Sequence, residues 1–300
     1  MKRFYFSQIR VKECLRAFLK DVISNQDPIK LLTHIDFLNI QKAGSSQKIM
    51  LNIINDILLQ EYGFTLTMTG TEKIQTYIYV DDGIYTGNKL RYDLTNGADS
   101  IGWLSNCPSS GCTLWIYTIA GHTAGIDYVK NILLDAAQAK QIKIQRKTTL
   151  MINNTRNPSS DIEILWPENI YGEPYVDDYV SDLQVSSGQK SANNIFRQSR
   201  IPSQEKLFSS PEARVVVEKA FLRKGIQIAK ASKKPAPSMR PLGFMKLVSL
   251  GFGTFFVTYR NIANNCPLVL WWGDPDLYPS THPIGMWYPL LPRRRNNVVS

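Results

Sequence analysis

The sequence contains few of the residues that bind structural zinc and no long apolar segment. Four cysteines and three histidines are present, and no two cysteines form a Cys-x-x-Cys pair, so a structural zinc site is not expected. Free thiols in a reducing cytoplasm are the simpler expectation. No apolar run reaches the roughly 20 residues that cross a bilayer. Charged residues interrupt the apolar positions of the start, MKRFYFSQIRVKECLRAFLK, so we predict a cytoplasmic protein with neither a signal peptide nor a membrane partner.

Apolar residues are nevertheless abundant enough to build a core, and positive charge is in excess. Hydrophobic residues make up 43% of the 300 residues, a length that suits one elaborated domain or two closely packed ones. The formal net charge of +10 favours polyanionic partners without identifying them. The basic residues form loose groups at 140–147, 223–234 and 293–295. Because aromatic residues do not alternate with them, each group is predicted to be a solvated face.

The spacing of apolar residues divides the chain into a helical start and a region of alternating strands and helices. From Val11 to Leu59 apolar residues recur at intervals of three and four, which is typical of amphipathic helices. Ser45 or Ser46 is predicted to cap the second of these helices. Apolar runs rich in β-branched residues at 74–80 and 113–120 are each followed by a helical pattern. This order predicts a parallel sheet with right-handed crossovers.

The middle of the chain carries weaker patterns. Further strands are predicted at 140–150 and 162–166, and a turn-rich segment follows. Asp177 and Asp178 in this segment are predicted to form a solvated acidic turn. From 181 to 210 the chain is dominated by Ser, Gln, Asn and Lys, which indicates a flexible loop or linker.

The C-terminal part is predicted to begin with a helix capped by Ser210 and to contain strands at 254–260 and 267–272. Together these elements predict an α/β fold, with a parallel sheet flanked by helices, a helical N-terminal extension and a C-terminal α+β elaboration. The predicted organisation is 1–180 for the helical extension and the core, 181–210 for the loop or linker, and 211–300 for a C-terminal part packed on the core.

The stretch YIYVDDGIYTG, residues 77–87, places paired aspartates behind an apolar strand and fits two unrelated chemistries. One is the metal-binding turn of a reverse transcriptase palm, which YVDD at 79–82 would supply. A palm needs a second strand within a few residues, and another metal-binding aspartate on an upstream strand. A helical pattern follows Gly87 instead, and the upstream aspartates lie in segments with helical spacing, so we reject this interpretation.

The second chemistry is a phosphate-binding loop at the carboxyl end of a strand. The backbone N–H groups from Gly83 to Asn88 and the positive end of the following helix suit a phosphate, and Thr86 adds a hydroxyl donor. Asp81 and Asp82 can accept hydrogen bonds from vicinal ribose hydroxyls or hold Mg²⁺ through water. The alternative is that the two aspartates only end a strand and cap a turn.

In this context TYIYVDDGIYTGNKL, residues 76–90, resembles the phosphoribosyl-diphosphate-binding motif of the type I phosphoribosyltransferase family. That motif usually has Thr or Ser two positions after the glycine, where this chain has Lys89. A lysine lacks the usual hydroxyl but reaches a phosphate oxygen. The resemblance implies a phosphoribosyltransferase-like sheet, with Asp81 and Asp82 as catalytic residues and as the residues that hold Mg²⁺. The residues implied to bind the ligand are Gly83, Ile84, Tyr85, Thr86, Gly87, Asn88 and Lys89.

Three further residues are weaker candidates for ligand contacts. Ser45 and Ser46 could hold a diphosphate at a helix start, and an ordinary N-cap explains them at least as well. His122 follows a predicted strand, at the sheet edge where open α/β folds bind ligands, and the alternative is a histidine packed in a loop.

A group of aromatic and amide residues near the C-terminus could form a wall on which a base stacks: Tyr259, Asn264, Asn265, Trp271 and Trp272. Packing in the core is the alternative, and it is predicted for at least one of the tryptophans.

The wider layout resembles a divergent branch of the family found in bacterial conflict systems, including effectors encoded beside retron reverse transcriptases. The matching features are the helical start, the VDDxxxTGN loop and the late block MRPLGF…TYRNIANNCPLVLWW. This resemblance implies an anti-phage effector, a retron toxin, that acts on phosphoribosyl diphosphate or a nucleotide. It also implies a reverse transcriptase with its RNA–DNA as partner. The alternatives are a catalytically inactive nucleotide-binding sensor and an interaction subunit that docks a nucleoprotein.

Overall fold

A computed structural model gives the structure of the protein. The residues it describes are 3–23, 27–96, 102–107, 111–156, 161–169, 172–187, 195–232, 235–260, 262–273 and 288–291. The chain divides into two compact units. We call Phe6–Ile152 the N-terminal unit, and Met1–Tyr5 with Asn153–Ser300 the C-terminal unit.

The regular elements follow the chain in this order within the described residues. The strands are β1 (Tyr5–Phe6), β2 (Ile35–Phe37), β3 (Thr76–Ile84), β4 (Thr113–His122), β5 (Lys143–Ile152) and β6 (Val257–Thr258). The helices are α1 (Gln8–Ile23), α2 (Pro28–Leu32), α3 (Ser46–Tyr62), α4 (Asn88–Arg91), α5 (Trp103–Asn106), α6 (Thr123–Ala139), α7 (Pro174–Ser187), α8 (Pro211–Ala231) and α9 (Leu268–Trp271).

A parallel sheet in the order β2-β3-β4-β5 forms the centre of the N-terminal unit. Ile78 of β3 pairs with Trp115 of β4, and Trp115 with Gln145 of β5. The strands predicted at 74–80, 113–120 and 140–150 are therefore confirmed. Their apolar residues are continuous because strands in the middle of a parallel sheet are covered on both faces.

Helices cover both faces of this sheet. Successive residues of a strand point to opposite faces, and β4 shows the result. Tyr117 stacks on Phe18 of α1 with ring centroids 4.3 Å apart, whereas Ile116 belongs to the buried cluster that includes Val129 and Leu133 of α6. The predicted α/β class, with a parallel sheet flanked by helices, is thus confirmed.

The structure corrects the predicted end of the central strand. β3 continues to Ile84, so Asp81 and Asp82 lie inside the strand, whereas the sequence pattern placed them after its end. The predicted helix after Gly87 is also short. α4 has four residues and is followed by a π-helical turn at Tyr92–Asn96. A helix of one turn carries only a small dipole, so the expected contribution of a helix N-terminus at this loop is weak.

In the C-terminal unit the predicted strand at 162–166 is wrong. This segment is buried but irregular, because its backbone groups bond to several separate partners, among them the Gly253 carbonyl oxygen, which accepts from the Leu165 N–H at 2.8 Å. Arg214 donates to the carbonyl oxygens of Ile162 and Ile164 at 2.9 and 3.0 Å, and Glu218 accepts from the Trp166 N–H at 3.0 Å. A short apolar run in a sequence predicts a buried strand even where the backbone groups of that segment bond to side chains.

The predictions for the rest of this unit had mixed outcomes. α8 begins as predicted, with Ser210 Oγ accepting from the Ala213 N–H at 3.2 Å. The strand predicted at 254–260 is reduced to β6. The segment 267–272 is helix α9 and not a strand, because a short apolar run does not distinguish the two and Pro267 suits a helix start.

The acidic turn predicted at Asp177 and Asp178 is also wrong, because both residues lie in α7. This helix runs to Ser187 and so covers the first residues of the segment predicted as a linker. Among the described residues, no helix is both long and apolar enough to cross a membrane.

Candidate ligand-binding site

The candidate site lies in the N-terminal unit, where β3 passes into α4. Tyr85, Thr86 and Gly87 connect the two elements. This is the carboxyl edge of a parallel sheet, where open α/β folds bind ligands.

Asp81 is the centre of a buried polar cluster. Its side chain is almost completely buried, with 5% exposed. Oδ1 accepts a hydrogen bond from the Ser46 hydroxyl. It also accepts one from the Asp82 N–H, at 2.8 Å. Oδ2 accepts from Gln41 Nε2 at 2.8 Å and from Lys89 Nζ at 3.2 Å. These donors fill the roughly four lone-pair positions of a carboxylate.

Lys89 connects this buried carboxylate to the surface. Its side chain is 54% exposed, and its ammonium also donates to Ser46 Oγ at 3.4 Å. Burial by itself would raise the pKa of Asp81. The Lys89 charge and the hydrogen bonds from Ser46, Gln41 and the Asp82 N–H outweigh burial and lower that pKa below its usual value. Asp81 is therefore ionised at neutral pH.

Gln41, Tyr79 and Asp93 complete the cluster and were not predicted from the sequence. Gln41 Nε2 also lies 2.8 Å from the Tyr79 hydroxyl oxygen and 2.9 Å from Asp93 Oδ2, so its two N–H groups are shared among three acceptors. Tyr79 donates to Asp93 Oδ2 at 2.9 Å. Burial raises the pKa of Asp93, and it raises that of Tyr79 well above its usual value, where the charges of Asp81 and Asp93 act in the same direction.

The spacing of two of these three residues in the sequence could have identified them. Tyr79 stands two positions before Asp81 on one strand, so both side chains point to the same face. Asp93 stands four positions after Lys89, the spacing of neighbours on a helix. Gln41 is separated from Asp81 by 40 positions, and nothing local in the sequence points to it.

Asp82 has different surroundings from Asp81. Because adjacent residues of a strand point to opposite faces, the two carboxylates leave β3 on opposite sides of the sheet. Asp82 is half-buried. The predicted catalytic pair is therefore one buried residue on one face of the strand and one partly exposed residue on the other.

The connecting loop is held close to α6 by two glycines. Gly87 has a left-handed backbone with φ of 79°. A Cβ atom at Gly87 would lie 2.6 Å from the carbonyl oxygen of Gly125, and one at Gly125 would lie 2.0 Å from that of Tyr85. Thr86 Oγ1 accepts a hydrogen bond from Asn88 Nδ2 at 3.3 Å. The side chains of these two residues, both predicted to bind the ligand, therefore lie together.

His122 is buried beneath this loop, at the end of β4. Its Nδ1 donates to the carbonyl oxygen of Ile84 at 2.9 Å, and its ring stacks on Tyr85 with centroids 5.2 Å apart. Burial lowers the pKa of His122 to about 4, so the ring is neutral at pH 7. The contacts with Ile84 and Tyr85 suit a residue that positions the loop.

The buried, neutral state of His122 predicts a pH dependence of stability. In the unfolded chain a histidine binds its proton near pH 6.5, whereas the folded protein takes it up only near pH 4. Stability from this residue is complete above about pH 6.5 and falls as the pH drops. We expect the free energy of unfolding to fall by about 1.6 kcal/mol more in the wild type than in His122→Asn between pH 6.5 and pH 5. Urea unfolding at both pH values measures this difference, and equal losses would contradict it.

The two serines have separate contacts. Ser45 is the N-cap of α3, and its Oγ accepts from the Lys48 N–H at 3.5 Å, as predicted. The Ser46 hydroxyl donates to Asp81. The structure thus brings Ser46, Asp81 and Lys89 together directly, and it places His122 against Ile84 and Tyr85.

The predicted base-stacking residues lie in the C-terminal unit. Trp271 is buried, and its Nε1 donates to the carbonyl oxygen of Cys266 at 2.9 Å. Asn265 Nδ2 donates to the Phe244 carbonyl oxygen at 3.0 Å. Core packing is therefore the correct interpretation for Trp271.

The fit of a magnesium ion differs between the two aspartates. Asp81 does not fit, because protein donors occupy its oxygen atoms. Asp82 is partly exposed and lies two residues before the end of β3. Within the described ranges, no group of three or more His, Cys, Asp or Glu side chains could hold a metal ion. A magnesium ion at this site would depend on phosphate oxygens from the ligand as well as on Asp82.

Comparisons with known proteins identify the family of the chain. No curated protein and no solved structure matches the chain. The model of the PRTase-CE family matches residues 1–293, almost the whole chain. The protein therefore belongs to the PRTase-CE family and is phosphoribosyltransferase-like.

Proposed function

We propose that the N-terminal unit binds phosphoribosyl diphosphate, or a nucleotide with the same phosphoribosyl group, at residues 82–89. The main support is the Thr86-Gly87-Asn88 loop at the carboxyl edge of β3 in a member of a phosphoribosyltransferase-like family. Lys89 and Asp82 flank this loop and supply opposite charges. A ligand with phosphates at one end and ribose hydroxyls at the other would use the cation for the first and the carboxylate for the second.

In this proposal each residue has a distinct task. Thr86, Asn88 and Lys89 bind the phosphates, and Asp82 accepts hydrogen bonds from the ribose hydroxyls. Asp81 is a positioning residue, because it holds the Lys89 ammonium next to the loop at 3.2 Å. The half-exposed lysine can turn toward a phosphate while Asp81 keeps its bonds to Ser46, Gln41 and the Asp82 N–H.

The chemistry proposed for this site is substitution at the anomeric carbon of the ribose. The bond from that carbon to the diphosphate oxygen breaks with its electron pair on the diphosphate, and the acceptor forms the new bond. Lys89 stabilises the negative charge on the leaving diphosphate, and Asp82 stabilises the positive charge that develops on the sugar. A bound magnesium ion supplies further charge neutralisation at the diphosphate. The acceptor is a base, a nucleotide, a macromolecule or water.

At the level of the cell, we propose an effector of a bacterial anti-phage system, with the cytoplasm as its location. The resemblance to retron-associated effectors supports this role and suggests a retron toxin that has a reverse transcriptase with its RNA–DNA as partner. The net charge of +10 is favourable for such a polyanion.

Calorimetry with phosphoribosyl diphosphate, with and without Mg²⁺, tests the proposed binding. We expect the wild type to bind, and Lys89→Ala to bind about tenfold more weakly, because a charged hydrogen bond contributes about 1.5 kcal/mol or more. Lys130→Ala removes an exposed lysine from α6 of the same unit and should leave the affinity unchanged. Absence of wild-type binding, or equal weakening in the two variants, would refute the loop site.

One observation favours a binding function without catalysis. The oxygen atoms of Asp81 are occupied by protein donors, so this carboxylate is not available as a general base. The same mixtures should therefore be assayed for released diphosphate. Release that depends on Asp82 supports an enzyme, whereas binding without release supports a nucleotide sensor.

A further inference from the structure

An open cleft of about 760 Å³ lies within the C-terminal unit. α7, the end of α8 and the segment 235–248 form its walls. This volume is in the range of small-molecule sites, roughly 300–1,000 Å³. Pro235 and Pro237 belong to the wall and restrict the backbone there, so the cleft is largely formed before a ligand arrives.

The charge of the cleft is unbalanced. Lys230, Arg240 and Lys246 line it, with Asp182 as the carboxylate among its described lining residues. In the described part of the chain, none of the three cations forms an ion pair with a carboxylate. Other basic residues of the same unit do form ion pairs, namely Arg3, Arg197, Lys206, Arg214 and Arg223. Among the described residues, the cleft thus presents positive charge that no carboxylate pairs with.

The Arg240 guanidinium is held in a fixed position. Its Nη1 donates to the carbonyl oxygens of Pro237 at 2.9 Å and Met239 at 2.8 Å. Its Nε is buried without a hydrogen-bond partner among the described residues. Buried donors without partners are costly, and each needs a physical explanation. An anion in the cleft would provide the missing compensation for this cation.

Neutral groups in the cleft suit the rest of a nucleotide. Burial raises the pKa of Tyr179 to about 12, so its hydroxyl stays protonated at neutral pH and can donate a hydrogen bond. Leu183 and Met239 are buried and supply apolar surface. Lys230 Nζ lies 4.5 Å from the centroid of the Tyr175 ring, a cation–π contact that restrains the ammonium.

We propose that this cleft is a second ligand site, which binds a mononucleotide with its phosphate at Arg240, Lys230 and Lys246. Arginine and lysine together suit a phosphate, because the guanidinium gives directed hydrogen bonds and the ammonium groups give point charges. The volume of about 760 Å³ suits a mononucleotide. The site is independent of residues 82–89.

The test uses the full chain and AMP as the probe. We expect Lys230→Glu and Lys246→Glu each to weaken AMP binding about tenfold or more. Both lysines are exposed, so these variants should fold. Lys219→Glu places the same charge change on α8, outside the cleft, and should leave the affinity within about twofold. Photolabelling with 8-azido-AMP should modify the peptides that contain Tyr179 or Met239, also in a Lys89→Ala background.

Three outcomes would overturn the proposal. One is labelling confined to the N-terminal unit, which would assign AMP to residues 82–89. Another is equal weakening by Lys219→Glu, which would show a general charge effect. The third is binding of a single-stranded oligonucleotide in the absence of AMP binding, which would make the cleft part of a nucleic-acid surface.

Discussion

Replacement of Asp81 by alanine is expected to lower the free energy of unfolding by about 1 to 3 kcal/mol, the range for leaving a buried hydrogen-bonding group without its partner. The Ser46 hydroxyl and the Gln41 amide lose their acceptor, and buried donors without acceptors are destabilising. Urea unfolding measures the total loss. Hydrogen exchange of the β3 amides shows whether the loss arises in the N-terminal unit.

Asp82→Ala is the matched control, because it removes the same group from the adjacent position. Asp82 is only half-buried, so the expected loss is smaller, about 1 kcal/mol. Ligand binding should respond in the opposite order, with a well-folded Asp82→Ala protein that binds phosphoribosyl diphosphate weakly. Equal losses of stability in the two variants would contradict the separate roles assigned to the two aspartates.

Replacement of Gly87 by alanine is expected to cost about 2 to 5 kcal/mol of stability. The left-handed backbone at φ of 79° accounts for about 1–2 kcal/mol of this cost. The rest is overpacking, about 1–3 kcal/mol, because the new Cβ would lie 2.6 Å from both the Gly125 carbonyl oxygen and Val129 Cγ2. Thermal unfolding of the variant measures the cost, and loss of ligand binding should accompany it.

Two further glycine variants separate these causes. Gly63→Ala has a similar left-handed backbone with nothing within 4 Å of the new Cβ, so it should show the backbone cost alone. Gly125 lies in α6, where alanine is normally favoured by about 1 kcal/mol. Because its Cβ would lie 2.0 Å from the Tyr85 carbonyl oxygen, we expect Gly125→Ala to destabilise the protein. Stabilisation by this change would show that the loop does not pack closely on α6.

The parallel sheet could be predicted because its strands are continuous apolar runs separated by helical patterns. The same rule failed at 162–166 and 267–272, where buried apolar runs form an irregular segment and a helix. In the first case Arg214 and Glu218 bond the backbone from about 50 positions away. Periodicity within a short window does not contain that information.

The candidate site was predicted where it is local in sequence. The loop and Lys89 belong to one motif, so they could be identified together. The buried environment of Asp81 depends on Gln41 and Ser46, which lie 40 and 35 positions away. The difference in burial between Asp81 and Asp82 depends on β3 continuing past both residues. The sequence pattern instead predicts that the strand ends at the acidic pair.

The side chains of β3 point alternately to the two faces of the sheet. Positions 81 and 82 are therefore expected to evolve under different constraints. Position 81 faces a closed set of interior partners, so few residue types are compatible with a folded unit. Position 82 points to the other face and is partly exposed, so a substitution there removes none of the side-chain donors to Asp81. Relatives can therefore diverge in ligand preference at position 82 while they retain the aspartate at position 81 that holds the interior together.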